Sequence, residues 1–314
     1  MATTVATDRT LAVGDYVKID WSIKIKGEPL PDSVFDEGVC HLVVGNGYIP
    51  PLHDVLLREA LPLNEEKVFR IPNMFGERNA ELWAKVDASQ APPGLKVGDQ
   101  VRLSSGMTAF VVAMDEESVT IDANRPFAGE TGEVRVTLLE KLDASSLKTI
   151  TFGGGCFWGV ELAFQRLPGV VATSVGYAQG SKLDPTYEDV CSGTTGHTEA
   201  VKVLYDPKLV DLETILDLFW DRLGENRFAL NQVGNDRGTQ YRHGIYLPEN
   251  DDAAKKIAEA SFEEQQAKHV DRPIATELEA LTVFYDAEDY HQQYLQKGGQ
   301  SAKKEATDTI RCYG

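Results

Sequence analysis

Polar and apolar residues alternate through "DYVKIDWSIKI" (15–25) and again through "EVRVTLLEKL" (133–142). Between them lie short alternating runs punctuated by Gly, Pro and Asp, and this period of two predicts a mostly β first part. One stretch breaks the period. After "GNGYIPP", the segment "LHDVLLREAL" sets Leu52, Val55, Leu56 and Leu57 at helical spacing, with Pro50 and Pro51 suited to a helix start. A curled sheet packing one helix is expected. The polar stretch "EKLDASSLKT" (140–149) reads as a short linker. Beyond it, strand patterns ("TITFG", "VATSVGYAQ", "EAVKVLYD", "GIYLP", "LTVFY") alternate with amphipathic helices in "CFWGVELAFQRL", "DLETILDLFWDRL" and "AAKKIAEASFEEQQAKH". The expected fold class is α+β with two domains, the second an α/β domain with an irregular C-terminal tail.

Composition narrows the partners. A chain of 314 residues exceeds what one hydrophobic core usually spans, which agrees with two domains. The formal net charge of −18 argues against nucleic acid or an anionic membrane surface, since phosphate binding needs clustered Lys and Arg. No run reaches the length of a transmembrane helix, and "MATTVATDRT" lacks the marks of a signal or transit peptide, so a cytoplasmic location is expected. Four cysteines, Cys40, Cys156, Cys191 and Cys312, are spaced too widely for a zinc ribbon or a CxxC pair. They read as reduced thiols, with no metal and no bound cofactor expected.

The densest chemistry is "GGGCFWG" (153–159). A strand stops at glycine and a helix follows, with Val160, Phe164 and Leu167 on one face, so Cys156 falls at the strand-to-helix turn. Unpaired backbone N–H groups and the positive end of the helix dipole favour thiolate there; such cysteines titrate at roughly 3.5–7.5, against about 8.5 for a free one. The glycines do not match GxGxxG, because the sixth position is Trp158, and no Gly-Lys-Ser/Thr follows for a phosphate loop. A buried, inert thiol packed by Phe157 and Trp158 is the plain alternative. Downstream lie Tyr187, Cys191, His197 and Glu199, then Asp236 and Tyr241. An acid and two phenols near a thiol suggest proton delivery. His197-x-Glu199 lacks the Pro-Cys-x-x-Cys of a zinc deaminase. A cysteine hydrolase using Cys156 and His197 stays open on spacing alone.

Taken in order, "GGGCFWGVE", "PTYEDVCSGTTGHTEAV", "GNDRGTQYR", "DAEDYHQQYL" and "IRCYG" resemble a peptide methionine sulfoxide reductase of the A type, over residues 147–314. The resemblance implies an α/β plait of the ferredoxin-like kind. It also implies reduction of methionine S-sulfoxide in peptides, proteins and the free amino acid. On that pattern Cys156 attacks the sulfur, Glu199 is the general acid, Tyr187 and Tyr241 bind the oxygen, and Asp236 supports them. Phe157 and Trp158 hold the methyl group. Cys312 resolves the resulting sulfenic acid to a disulfide that thioredoxin or another dithiol reopens. Related plant-like tails carry two cysteines; Ala306 stands near the first, which shortens the relay to one exchange. The tail from residue 297 is rich in Gly, Ser and Lys and is expected to be mobile, while Cys191 is read as structural. In place of the family's "HDPT"-like residues the chain has "RLGENRFALNQVGND".

The first part, residues 11–142, resembles an FKBP-type prolyl isomerase of the SlyD-like, insert-in-flap kind. The matching pieces are "KGEPLPDS", "VVGNGYIPPLHDVL", "FGERN" and "VTIDANRPFAGE". The resemblance implies a half-barrel sheet with one helix, an inserted flap at about 78–121 and a groove lined by Ile49, Leu52, Phe75 and Phe127. Phe75 replaces the family's Tyr and Arg125 its His, which weakens the case for isomerase turnover and leaves peptide binding intact. A chaperone whose second domain is idle is the rival reading of the whole chain.

Overall fold

The structure is a computed structural model that describes residues 10–26, 28–29, 37–45, 50–103, 106–124 and 127–312. The groove residue Ile49 and the substituted Arg125 lie outside the described residues. The chain gathers into two compact units, one of Met1–Trp21, Pro31–Glu66 and Val136–Gly314, the other of Ser22–Leu30 and Lys67–Arg135.

The alternation in the first part produces strands β1 (Tyr16–Ile25), β2 (Glu28–Pro29), β3 (Gly38–Val43), β4 (Glu66–Ile71) and β9 (Gly132–Lys141). They form one sheet in the order β2-β1-β9-β4, with β3 also paired to β1. Every second residue of β9 up to Leu138 is buried, as a period of two requires. The expected helix, α1 (Pro50–Arg58), starts at the two prolines and buries Leu52, Val55 and Leu56.

Trp83–Asp87 (β5), Gln100–Arg102 (β6), Thr108–Met114 (β7) and Ser118–Asp122 (β8) form a separate four-stranded antiparallel sheet, ordered β5-β8-β7-β6. Its base is tied by Arg78, whose guanidinium meets Asp122 at 2.6 Å and lies 3.8 Å over the Trp83 ring. Asn124 accepts a hydrogen bond from the Asn79 backbone N–H and donates one back to its carbonyl. Trp83, Val97, Met107, Val112 and Met114 are exposed on this unit. Phe75 and Phe127 lie 5.9 Å apart and partly exposed.

The linker stretch is a short capped turn. Asp143 accepts from the Ser145 N–H and closes a 3-10 turn at Ala144–Ser146, after which β10 begins at Lys148. Strand β10 (Lys148–Gly154) leads to α2 (Phe157–Arg166), β11 (Val170–Ala178), α3 (Tyr187–Cys191), β12 (Thr198–Tyr205) and α4 (Leu212–Leu223). There follow the hairpin β13–β14 (Gln232–Val233, Asp236–Arg237), β15 (His243–Leu247), α5 (Asp252–Ala267), β16 (Glu277–Ala280), β17 (Phe284–Asp286) and α6 (Tyr294–Lys297). The main sheet runs β16-β15-β10-β12-β11-β17. Its central four strands, with α2 and α4, follow a β-α-β-β-α-β chain path.

Two features differ from the pattern reading. The segment "ELEA" forms β16, parallel to β15, although acidic residues hide any alternation; an edge strand needs a ladder on only one side. The run "LTVFY" is strand only at its end, from Phe284. Helix α2 stops at Arg166 because Leu167, ahead of Pro168, takes an extended conformation.

Helices α2 and α4 press on one face of the sheet through a stacked trio of rings. Phe152 of β10 lies 4.9 Å from Phe164 of α2 and 4.8 Å from Phe219 of α4. All three are buried. Phe152→Ala removes the ring that both helices share, and we expect a loss of about 3–5 kcal/mol in a denaturant titration. A loss under 1 kcal/mol would mean that the two helices are held elsewhere.

Candidate active site

The glycine run has a steric cause at two positions. Gly155 takes φ +77°, and a Cβ there would lie 2.5 Å from Cβ of Val233 in the β13–β14 hairpin. A Cβ on Gly153 would lie 2.9 Å from the Arg242 carbonyl oxygen. Glycine therefore lets the turn before Cys156 lie close against the chain segments that carry Asp236 and Tyr241.

Cys156 is the N-cap of α2, with φ −53° and ψ 116°. The first N–H groups of the helix have no partner within it. The Phe157 N–H donates to Glu199 Oε2 at 3.1 Å, while the Cys156 side chain makes no capping hydrogen bond and the nearby Trp158 N–H acts to lower its pKa. Glu199, on the second residue of β12, is only 2% exposed. Burial pushes its carboxyl up to about 8; the Phe157 N–H opposes this and the Asp236 carboxylate adds to it. Glu199 is therefore a largely protonated acid at neutral pH.

Thr198 ties β12 to the turn that bears the second phenol, its hydroxyl lying within bonding distance of the Gln240 and Arg242 carbonyl oxygens, at 3.1 and 2.8 Å. Tyr241 ends that turn, and its hydroxyl pKa is raised by burial and then by the charges of Glu199, Asp236, Cys191 and Cys156. Tyr187 opens α3, whose Thr186–Asp189 capping box fixes its start. Its hydroxyl donates to Cys191 Sγ and its pKa is likewise raised, by burial first. Asp236 lines a cavity of about 270 Å³ together with Cys156, Val160, Val233 and Cys312. The structure thus gathers Cys156, Glu199, Asp236, Tyr241 and Cys312, and sets Tyr187 within reach of the Glu199 charge.

The aromatic wall extends past what the sequence reading assigned. Trp158 stacks on Tyr294 at 4.0 Å and 16°, and its Nε1 donates to His291 Nδ1 at 3.2 Å. Phe157 is buried, 5.3 Å from the same imidazole, and Tyr187 lies 4.5 Å from it. Glu288 accepts from the Tyr187 N–H at 2.9 Å and from the Tyr177 hydroxyl at 2.7 Å. Buried Glu161 accepts from Thr173 at 3.1 Å and Gln293 at 3.4 Å. The sequence signal was the crowding of acids, amides and rings in "DAEDYHQQYL", which matched as a motif but gave up no individual residue.

Several expectations change. His197 is 1% exposed, accepts from the Gly180 N–H on Nδ1 and meets the Lys182 carbonyl with Nε2 at 2.9 Å. Both nitrogens serve the backbone, so it is no base for a hydrolase. The tail lies docked along α2, with no swinging arm among its described residues: Arg166 donates to the Ser301 and Asp308 carbonyls, and Lys304 to those of Gln165 and Val170. Cys156 has a close neighbour in Cys312, which lines the same cavity. The Cys312 thiol is pulled down to about 6, first by the hydrogen bond from Cys156, while that bond, burial and the Glu199 carboxylate push the Cys156 thiol up. Cys191 is exposed and not disulfide-bonded. The replaced "HDPT" region is a 3-10 turn, Gly224–Phe228, where Arg227 binds the Gly224 and Trp220 carbonyls and Asn226 accepts from the Gly234 N–H. Of the isomerase groove, Leu52 is a core residue at 2% exposure and offers a ligand little surface.

The sequence profile described as "Peptide methionine sulfoxide reductase" matches residues 148–311. Peptide methionine sulfoxide reductase A2-1 of Oryza sativa subsp. japonica is 54% identical over 168 residues, covering 54% of this chain and 87% of that protein. Mxr1 from Saccharomyces cerevisiae in its reduced form is 38% identical over 51% of this chain and 91% of its own, with a TM-score of 0.46. Mxr1 in complex with Trx2 is 29% identical, covering 49% of this chain and 89% of that one, at a TM-score of 0.32. The N-terminal part has no family assignment. The chain belongs to the peptide methionine sulfoxide reductase family, and its C-terminal half is a peptide-methionine (S)-S-oxide reductase.

Proposed function

We propose that Cys156 reduces the sulfoxide by direct attack on its sulfur, with Glu199 as the proton donor to the oxygen. The reading is carried by one observation: a buried, protonated carboxyl holds the first free N–H of α2, directly beside the Cys156 sulfur at the N-cap. Phe157 and Trp158 hold the terminal methyl by apolar and sulfur–aromatic contact. Tyr187 and Tyr241 donate to the oxygen as charge develops, and Asp236 keeps the Glu199 proton in place by its own negative charge. When substrate displaces the Cys312 sulfur, the Trp158 N–H and the helix dipole remain and favour the Cys156 thiolate. Attack leaves methionine and a sulfenic acid on Cys156, which Cys312 closes to a disulfide. Thioredoxin, a dithiol of low potential, reopens it. Substrates are free methionine S-sulfoxide and the same residue in peptides and proteins.

Glu199→Gln keeps the hydrogen bond from Phe157 and loses the proton. It should slow single-turnover methionine release by about 10²–10⁴-fold with substrate affinity little changed. In the parent enzyme the acid is protonated below its pKa, so the single-turnover rate should fall as pH rises through about 8. A variant as fast as the parent removes Glu199 from the chemistry. Cys312→Ala should release one equivalent of methionine and then stall with thioredoxin as sole reductant. Continued thioredoxin-driven turnover, or a mapped Cys156–Cys191 disulfide in the oxidised parent, would move the resolving role elsewhere.

The N-terminal part, residues 11–142, is proposed as an FKBP-type, SlyD-like domain that binds extended or proline-containing segments and hands sulfoxides to residues 147–314. Its support is the exposed apolar set on the β5–β8 sheet, Trp83, Val112 and Met114 among it. A covalently joined binder raises the local concentration of substrate. Replacing Val112 and Met114 by Lys should weaken the chain's delay of aggregation of an unfolded protein and slow repair of oxidised unfolded protein, with free methionine sulfoxide turnover intact. Equal rates on both substrates would leave the fused domain without this role.

A further inference from the structure

Gly159, the third residue of α2, has no helical reason to be glycine, which in a helix interior costs about 1 kcal/mol relative to alanine. What lies over it is the end of the chain. A Cβ built on Gly159 would stand 2.6 Å from Sγ of Cys312, 3.3 Å from Nη2 of Arg222 and 3.8 Å from Cγ2 of Ile310, its three nearest heavy atoms outside the local chain. The Gly159 N–H, another unpaired donor of the helix start, acts on the same sulfur to favour its ionised form. Arg222, in the last turn of α4, brings its positive charge to the same sulfur. The charged and titratable neighbours of that sulfur are then Cys156, Arg222 and Asp236, the last opposing ionisation.

We propose that Gly159 and Arg222 form a seat for the ionised sulfur of Cys312, and that this seat sets the rate at which Cys312 closes the disulfide with oxidised Cys156. The absent side chain admits the sulfur, the backbone N–H orients it, and the guanidinium holds it as thiolate. In the step itself the Cys312 thiolate attacks Sγ of the Cys156 sulfenic acid. The S–S bond forms as the S–O bond breaks, and hydroxide departs and takes a proton from solvent to become water. The Cys312 sulfur is oxidised and the Cys156 sulfur reduced. Gly159 and Arg222 are positioning residues for this second step, and their role rests on the proposed sulfenic acid route.

The test mixes the reduced full chain with one equivalent of N-acetylmethionine S-sulfoxide and follows three readouts: N-acetylmethionine released, Cys156 sulfenic acid trapped by dimedone, and the Cys156–Cys312 disulfide by peptide mapping. Gly159→Ala should release product at the parent rate while the sulfenic acid persists and the disulfide forms at least about tenfold more slowly. Arg222→Gln should likewise slow the disulfide at pH 7 and recover it at higher pH, since a thiol without the cation ionises later; Arg222→Lys should recover much of the rate. Normal disulfide rates and pH dependence in both variants would overturn the seat. So would loss of product release in Gly159→Ala, because the glycine would then serve the first step. If the parent enzyme itself releases product with no oxidation of Cys156, the sulfenic acid route fails and the seat with it, an outcome distinct from those of the variants.

Discussion

The site depends on how the unpaired N–H groups at the start of α2 are distributed. The Phe157 N–H donates a hydrogen bond to a carboxylic acid, and the Trp158 and Gly159 N–H groups lie toward the attacking and the second sulfur, lowering their pKa values. Those donors cannot bond within the helix, and burying them without partners would cost free energy comparable to a lost hydrogen bond each. Satisfying them with ionisable side chains turns an obligation of helix geometry into an arrangement of acid and thiols. It also fixes their spacing, because successive N–H groups at a helix start are rigidly related.

Charge at this spot is kept in balance by burial. Desolvation holds Glu199 protonated, and the Asp236 carboxylate reinforces it. The same Asp236 opposes ionisation of Cys312, where a hydrogen bond from Cys156 and the nearby Arg222 prevail. One acid is thus kept neutral and one thiol biased toward ionisation within the same small volume, by environments that differ in solvent access and in the sign of the nearest side chain. The ring wall supplies the apolar side of that environment. Trp158, Tyr294, His291 and Phe157 fix one another's orientation, so the Trp158 face does not depend on substrate to find its place.

Much of this was legible because its causes are local. A strand ending in glycine ahead of "CFWG" implies a thiol at a helix start, and the strands and helices around the site have full-length periodic patterns. What escaped the sequence has non-local causes. The partners of Trp158 lie more than 130 residues along the chain. His197, beside Glu199 in sequence, looked catalytic, yet its ring is spent on the backbone of residues 180 and 182, a pairing that no spacing reveals. The tail was misread for a similar reason. Gly, Ser and Lys are the composition of a mobile end, but Lys304 finds carbonyls at the far end of α2, and composition does not register a docking site on another element.

The two ends of α2 therefore act on the same tail. At the C-terminal end, where carbonyls lack partners and the dipole is negative, Lys304 donates to the Gln165 carbonyl, and to that of Val170 at the start of β11, and the Glu305 N–H donates to Arg166. At the N-terminal end Cys312 lies over Gly159, whose N–H favours its ionised form. The ten residues of α2 rise about 15 Å at 1.5 Å each. The eight steps from Lys304 to Cys312 reach at most about 29 Å when extended, at roughly 3.3–3.6 Å each. The connection thus has slack of about 14 Å once the Arg166–Asp308 and Gln300–Arg311 bonds open. Cys312 can leave Cys156 to admit a sulfoxide and return to it while the lysine anchor stays in place. Such a tail holds the second thiol at a fixed radius from the first, which keeps the search for the sulfenic acid short without requiring the whole C-terminus to be free.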